Sequence, residues 1–333
     1  MSEESTNRVR ALYDAYPYPN PVAGDGLISD TANMAAFLFA AQSFSGWKIL
    51  DAGCGTGHRL LGFAKRFPEA SFCGIDVAAE PLKVARELAA RHQIENVEFR
   101  QADLLAGSPA ERFDLIVSTG VIHHLQDPER GLRNLCECLA PGGSIVLWLY
   151  HPYGEFDRLL ERELVHALWD RETMSIGEGI DTIRELDFSL AAERYSGAYA
   201  NRDNRLLDQT AIDVDAFLHP VVNAYRLGES LDMLGRCGMD WGAIHSISLG
   251  AGSKLIDLEQ VSTPGMSAFC LKHSELFASQ GMLKRFRELD TRRKLQAIEA
   301  IARPNGYAVV AGRNDARADF DGRIQGNAVA LNP

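Results

Sequence analysis

Asp51-Ala52-Gly53-Cys54-Gly55-Thr56-Gly57-His58 decides the fold class. Before it stands a short apolar run, Trp47-Lys48-Ile49-Leu50, which reads as a buried strand. After it, Leu60, Phe63, Ala64 and Phe67 recur at helical spacing. Glycines 53, 55 and 57 therefore occupy a strand-to-helix turn. Glycine adopts positive φ and lets a ligand approach bare backbone. In open α/β sheets such a turn lies at the ligand-binding edge. The spacing is G-x-G-x-G, not the G-x-G-x-x-G of dinucleotide enzymes.

The signals that follow keep a consistent order. Ser71-Phe72-Cys73-Gly74-Ile75-Asp76-Val77 reads as a second strand ending in a carboxylate, placed where an acidic residue suits a pair of ribose hydroxyls. Val97-Glu98-Phe99-Arg100-Gln101 alternates as a third strand and delivers Ala102-Asp103-Leu104. Phe113-Asp114-Leu115-Ile116-Val117-Ser118 reads as the fourth, and Pro141-Gly142-Gly143 as a turn into the fifth. Taken together, the DAGCGTG run and these strand ends resemble the motifs of the class I S-adenosylmethionine-dependent methyltransferases. The resemblance implies an α/β fold with a doubly wound, seven-stranded, mostly parallel sheet whose last strand runs antiparallel. It implies S-adenosylmethionine as cofactor. It assigns Asp51, Gly53, Cys54, Gly55 and Gly57 to the binding turn, Asp76 to the ribose, Val77 to the same cofactor site, and Asp103 and Leu104 to the adenine. Ser118 and Tyr18 complete the cofactor set.

Composition agrees with a globular enzyme. The 333 residues allow one large domain or two modest ones, and 46% are apolar, enough for a full core. The net charge is -11, and no Lys/Arg run offers a face to nucleic acid or an anionic membrane. Six cysteines, at 54, 73, 136, 138, 237 and 270, show no zinc spacing and read as free thiols in a reducing cytoplasm. The N-terminus lacks an apolar signal segment, and the apolar window 35–41 is too short to span a bilayer. The expectation is a cytoplasmic protein with no metal, nucleic-acid or membrane partner. Its oligomeric state is not legible.

Five segments are expected. Residues 1–45 form lid helices, one over 1–16 and one from Thr31 to about Phe44, separated by Tyr16-Pro17-Tyr18-Pro19-Asn20-Pro21. Residues 46–150 form the cofactor-binding core. Residues 151–230 contain no lysine, eight arginines and sixteen acidic residues and read as a helical cap. Residues 231–312 complete the sheet, with a long amphipathic helix over 281–302 before the last strand. Residues 313–333 read as a polar, mobile tail.

Methyl transfer mainly requires alignment, a dry site and removal of any acceptor proton. His123-His124-Leu125-Gln126-Asp127-Pro128 follows strand four and resembles the HHL-x-DP stretch of small-molecule members. His123, ahead of His124, is the candidate general base; the alternative is that these rings pack. The tetrapeptide of base- and glutamine-methylating enzymes, the paired glutamates of arginine methyltransferases and a metal-binding carboxylate cluster are all absent from the sequence here. Tyr13-Asp14-Ala15-Tyr16-Pro17-Tyr18-Pro19 resembles the Y-x-x-x-PYP element of a bacterial subgroup, some members of which modify proteins. It implies a lid that brings Tyr13 and Tyr18 to the substrate, or tyrosines that pack the first helix on the sheet. His151, Tyr153 and Tyr225 are further acceptor-site candidates. His219 reads as packing, and Arg202 and Arg205 as carboxylate binders or partners of acidic neighbours. The expected reaction is in-line methyl transfer to an N or O atom of a small molecule. A protein acceptor of the lysine type is the alternative suggested by the PYP element. A catalytically silent scaffold is the third, opposed by the intact glycine turn, Asp76 and Asp103.

Overall fold

The computed structural model describes residues 2–20, 26–40, 43–108, 110–186, 208–250, 252–314 and 320–331. Arg202 and Arg205 lie outside them. β1 (Lys48–Ala52) is buried from its second residue onward, as expected of a central strand covered on both faces. It pairs in parallel with β2 (Ser71–Asp76) and β4 (Phe113–Thr119). β3 (Val97–Gln101) extends one side, and β5 (Leu139–Tyr150) the other. β6 (Trp241–Leu249), β7 (Gly252–Leu255), β8 (Gly306–Gly312) and β9 (Val329–Ala330) complete the sheet. The order is β3-β2-β1-β4-β5-β8-β6-β7, with β9 on β6.

The parallel, doubly wound sheet with an antiparallel late strand is as expected. β8 lies between β5 and β6, antiparallel to both, with all its residues buried. The strand count is nine rather than seven, because β7 folds back on β6 and β9 joins the same strand.

One face of the sheet carries α2 (Asp30–Leu38), α3 (His58–Arg66) and α4 (Ala79–Arg91) over a cluster that includes Ile49, Leu61, Phe72 and Val117. Phe44 sits edge-on to Phe39, Trp47, Phe63 and Phe67. The helix expected to reach Phe44 stops at Leu38, and Phe44, at φ 56, turns the chain toward β1. The opposite face carries α5 (Pro128–Glu137) and the helices Leu227–Arg236 and Thr291–Ala302. The single helix expected over 281–302 is two, Gln280–Arg287 and Thr291–Ala302. Asp290 restarts the second as N-cap, accepting from the Arg293 N–H at 2.9 Å.

A third cluster, in the segment expected to be a cap, joins α6 (Phe156–Leu168), α7 (Ile176–Glu185) and the π-type turn Val214–Leu218. Leu12 of α1 (Ser2–Ala15) is buried in it, with Tyr13 and Tyr16 packed against it. The first helix thus shares the core of the cap instead of lying on the sheet. The expected mobile tail is also corrected for residues 320–331. Arg323 is fully buried and donates to the carbonyls of Phe37 and Ile256, at 2.6 and 3.2 Å. Asn327 bonds the carbonyls of Ile244 and Ile256 and the N–H of Leu258. Polar composition here serves to satisfy buried backbone, so it does not signal solvation.

Candidate active site

β1 and β2 end in register, Ala52 opposite Ile75, which brings the glycine turn beside Asp76. The N–H groups of Gly53 and Cys54 both donate to the Ile75 carbonyl, at 2.8 and 3.0 Å. Gly53, Gly55 and Gly57 have φ of 86°, 53° and 74°, conformations that side chains resist. Space is equally tight: a Cβ on Gly55 would lie 2.1 Å from the Tyr18 carbonyl oxygen, and one on Gly53 2.2 Å from the Val121 side chain. Asp76 accepts from the Gly55 N–H at 2.8 Å on one oxygen and from the Ala78 N–H at 2.9 Å on the other. The Val77 N–H bonds the carboxylate as well, and its four lone pairs still exceed these three donors. Burial raises the carboxyl pKa of Asp76, while these N–H groups lower it. Asp51, on the neighbouring strand, is pushed up to about 7, chiefly by burial.

The PYP element contacts this turn through its backbone. The Tyr18 carbonyl accepts from the Thr56 N–H at 3.2 Å, and the Thr56 hydroxyl donates to the Pro19 carbonyl at 2.7 Å. α1 is fastened close by. Asp14 accepts from the N–H groups of Ala79 and Glu80, at 2.9 and 3.0 Å, and so caps α4 from outside that helix. Arg10 donates to the Val77 carbonyl, which also takes the Gln101 amide. Tyr13 donates to Asp215 of the cap at 2.6 Å. Asp14, Thr56 and Asp215 escaped the sequence reading, because each acts on a segment distant in sequence.

The loop after β4 turns inward. Val121 leans on the glycine turn, and two residues later His123 is fully buried, 3.9 Å from the Tyr150 ring in a stacked pair. Neither ring nitrogen of His123 has a hydrogen-bond partner among the described residues. His124 faces His219 of the cap, ring centroids 4.0 Å apart. The His124 Nδ1 meets the Val221 carbonyl at 2.9 Å, and the His219 Nδ1 accepts from the Val221 N–H at 3.1 Å. Asn223 ties the cap segment to this loop through the carbonyls of His123 and Leu125. Burial holds the pKa of all three imidazoles below the ordinary value, and neighbouring groups, Arg158 or Arg162 among them, lower them further.

Residues 43–185 match the family described as a methyltransferase domain. Those residues belong to the methyltransferase-domain family. Over 202 residues the chain is 35% identical to an uncharacterized protein of a Synechococcus strain, covering 58% of this chain and 48% of that one. Over 115 residues it is 36% identical to a trans-aconitate 2-methyltransferase of an Azoarcus strain, covering 34% of this chain and 44% of that one. The chain thus spans about half the length of these curated relatives. Its fold is similar to that of PKMT2 from Rickettsia typhi, solved in complex with AdoHcy, with a TM-score of 0.54 at 17% identity, covering 88% of this chain and 54% of that chain.

Within the methyltransferase domain, Asp103 accepts from the Leu105 N–H at 2.8 Å, and Leu104 is buried beside it. Ser118 is fully buried and donates to the Ala52 carbonyl at 2.8 Å, bracing β4 against β1. Tyr18, expected to meet cofactor and substrate, meets the glycine turn through its carbonyl. His151 lies apart from the histidine cluster: its Nε2 meets Glu299 at 3.0 Å and its Nδ1 accepts from the Tyr153 N–H. Arg226 also binds Glu299 and stands over the Tyr153 ring. Tyr225 is partly buried against the core and donates its N–H to the Tyr150 carbonyl. Two open depressions lie away from the glycine turn. One, lined by Arg112, Glu137, Leu139 and Arg313, is at the N-terminal ends of β4 and β5, the wrong edge for a ligand of this sheet. The other borders Arg226, Asp232, Arg292 and Glu299. No group of His, Cys, Asp and Glu among the described residues has the makings of a metal site, and no described helix is long and apolar enough to cross a membrane.

Proposed function

We propose that this chain is an S-adenosylmethionine-dependent methyltransferase that transfers a methyl group to an oxygen or nitrogen of a small acceptor enclosed between core, α1 and cap. The observation that carries this is the coincidence of the positive-φ glycine turn with Asp76 and the histidine loop at one end of β1, β2 and β4. Asp76 fits a ribose, since its four lone pairs exceed the N–H groups of Gly55, Ala78 and Val77 that it already accepts. Asp103 has one oxygen bonded to Leu105 and another to offer an adenine amino group. Asp51, Gly53, Cys54, Gly55, Gly57, Val77 and Leu104 would line the same site.

When bound, S-adenosylmethionine supplies a methyl group on a sulfonium. The protein's part is to exclude water and hold the acceptor. Tyr13 and Asp215 join α1 to the cap across the site, and His123 stays neutral, with a lone pair for the proton an acceptor loses. The methyltransferase-domain match, and a relative that acts on trans-aconitate, support a small acceptor. The closed burial of His123 and His219 supports it over a protein tail. Calorimetry with S-adenosylhomocysteine, followed by labelled methyl transfer to metabolite and peptide pools, tests the reading. Undetectable binding removes it, and label found only on peptides replaces the small acceptor with a protein.

A further inference from the structure

We propose that the acceptor is a hydroxyl compound whose reacting O–H is held between His123 of the core and His219 of the cap. This rests on the methyl-transfer reading above and names its substrate class. Three buried polar atoms have no partner among the described residues at this junction: both ring nitrogens of His123 and the Nε2 of His219. Leaving such groups unpaired in a dry interior is costly, so a ligand that bonds them recovers a large interaction.

The hydrogen-bond pattern fixes what the rings present. The His219 Nδ1 accepts from the Val221 N–H, so its neutral ring carries the proton on Nε2 and offers a donor. The His124 Nδ1 faces the Val221 carbonyl, so its proton is on Nδ1 and its Nε2 offers a lone pair. A neutral His123 offers one donor and one acceptor. The junction thus presents donors and acceptors together, as a hydroxyl requires.

An ammonium, which only donates, finds a poorer match. The nearby carboxylates are engaged, Asp215 by Tyr13 and Glu155 by Arg158. The guanidinium of Arg158 lies over the Tyr150 ring, and Arg162 donates to the His219 carbonyl at 2.5 Å, so cationic charge already borders the junction. The same burial and charge lower the pKa of His123 and His219 and keep them neutral near pH 7.

The test uses the full chain saturated with S-adenosylhomocysteine, with binding verified by calorimetry. Long-range ¹H–¹⁵N spectra of the imidazoles are then recorded with phenol or with benzylamine added at neutral pH. Phenol is expected to shift the ring nitrogens of His123 and His219, and benzylammonium to leave them unmoved. His219→Leu should abolish the response while S-adenosylhomocysteine affinity stays within about twofold. His219→Gln keeps an amide donor and should retain binding weakened by about tenfold, a check that survives misfolding of the leucine variant. Unmoved imidazoles in saturating phenol, with S-adenosylhomocysteine bound, overturn the proposal alone. So does a shift by benzylammonium without one by phenol. Failure of S-adenosylhomocysteine to bind overturns the methyl-transfer reading itself.

Discussion

At the scale of single residues, the glycine turn is constrained by conformation and space at once. Gly55 combines φ 53° with a Tyr18 carbonyl 2.1 Å from where a Cβ would sit. Gly55→Ala should therefore expel residues 18–19 from the turn and weaken S-adenosylhomocysteine binding at least tenfold, on the order of 1.4 kcal/mol. Calorimetry checks this, and an alanine variant of unchanged affinity would show that the turn adapts. Asp76 has two duties, because its carboxylate also satisfies the N–H groups of Gly55 and Ala78. Asp76→Ala should lower stability by about 1–3 kcal/mol as well as binding, since buried donors lose their acceptor. Chemical denaturation with and without S-adenosylhomocysteine separates the two effects. A variant that loses affinity at full stability would mean that water replaces the carboxylate at those N–H groups.

At the scale of elements, α1 is the joint between core and cap. Its Asp14 caps α4, its Tyr13 bonds Asp215, and its Leu12 lies in the cap cluster. Asp14→Ala should cost about 0.5–2 kcal/mol, as for loss of a helix cap, although the residue belongs to another helix. Hydrogen exchange should rise at the first turn of α4 and across 10–22 together. Exchange confined to one of these segments would break the link. Deleting residues 1–20 should lower the melting temperature as well as turnover, because it uncovers apolar surface of the cap. Turnover lost at an unchanged melting temperature would instead describe a lid resting on a cap that is stable without it.

At the scale of the whole molecule, buried histidines set the acid response. His123, His124 and His219 have folded pKa values below that of an unfolded histidine. His166 is lowered to about 4 and His245 to about 3, mainly by burial. Their contribution is fully present above the unfolded value of about 6.5 and is lost as pH falls below it toward the folded values. Asp51 acts in the opposite sense. Raised to about 7, it contributes most below its unfolded range and loses that contribution as pH rises through about 7. The double variant His123→Leu/His219→Leu should therefore lose less stability than the parent between about pH 6.5 and pH 5. Parallel denaturation curves at several pH values measure this. Identical acid slopes would place the proton uptake at other groups.

The order of strands, the glycine turn and the carboxylates at the strand ends were legible in the sequence because they depend on local rules. Apolar runs make buried parallel strands, and glycine alone tolerates the turn's φ. Pairing in register then carries Asp76 to Gly55 without further information. Contacts between distant segments were not legible. Nothing in Asp14, Thr56 or His219 announces its partner, since each bonds a backbone group or faces a ring brought near only by folding. His151 and Ser118 looked equally suited to ligand contact, yet packing gave one to Glu299 and the other to the Ala52 carbonyl. The polar end of the chain read as solvated, but Arg323 and Asn327 complete buried backbone hydrogen bonds at the carbonyls of Ile256 and Ile244. Local periodicity and backbone conformation are written in neighbouring residues. Which buried polar group meets which partner is settled only by the three-dimensional requirement that each be satisfied.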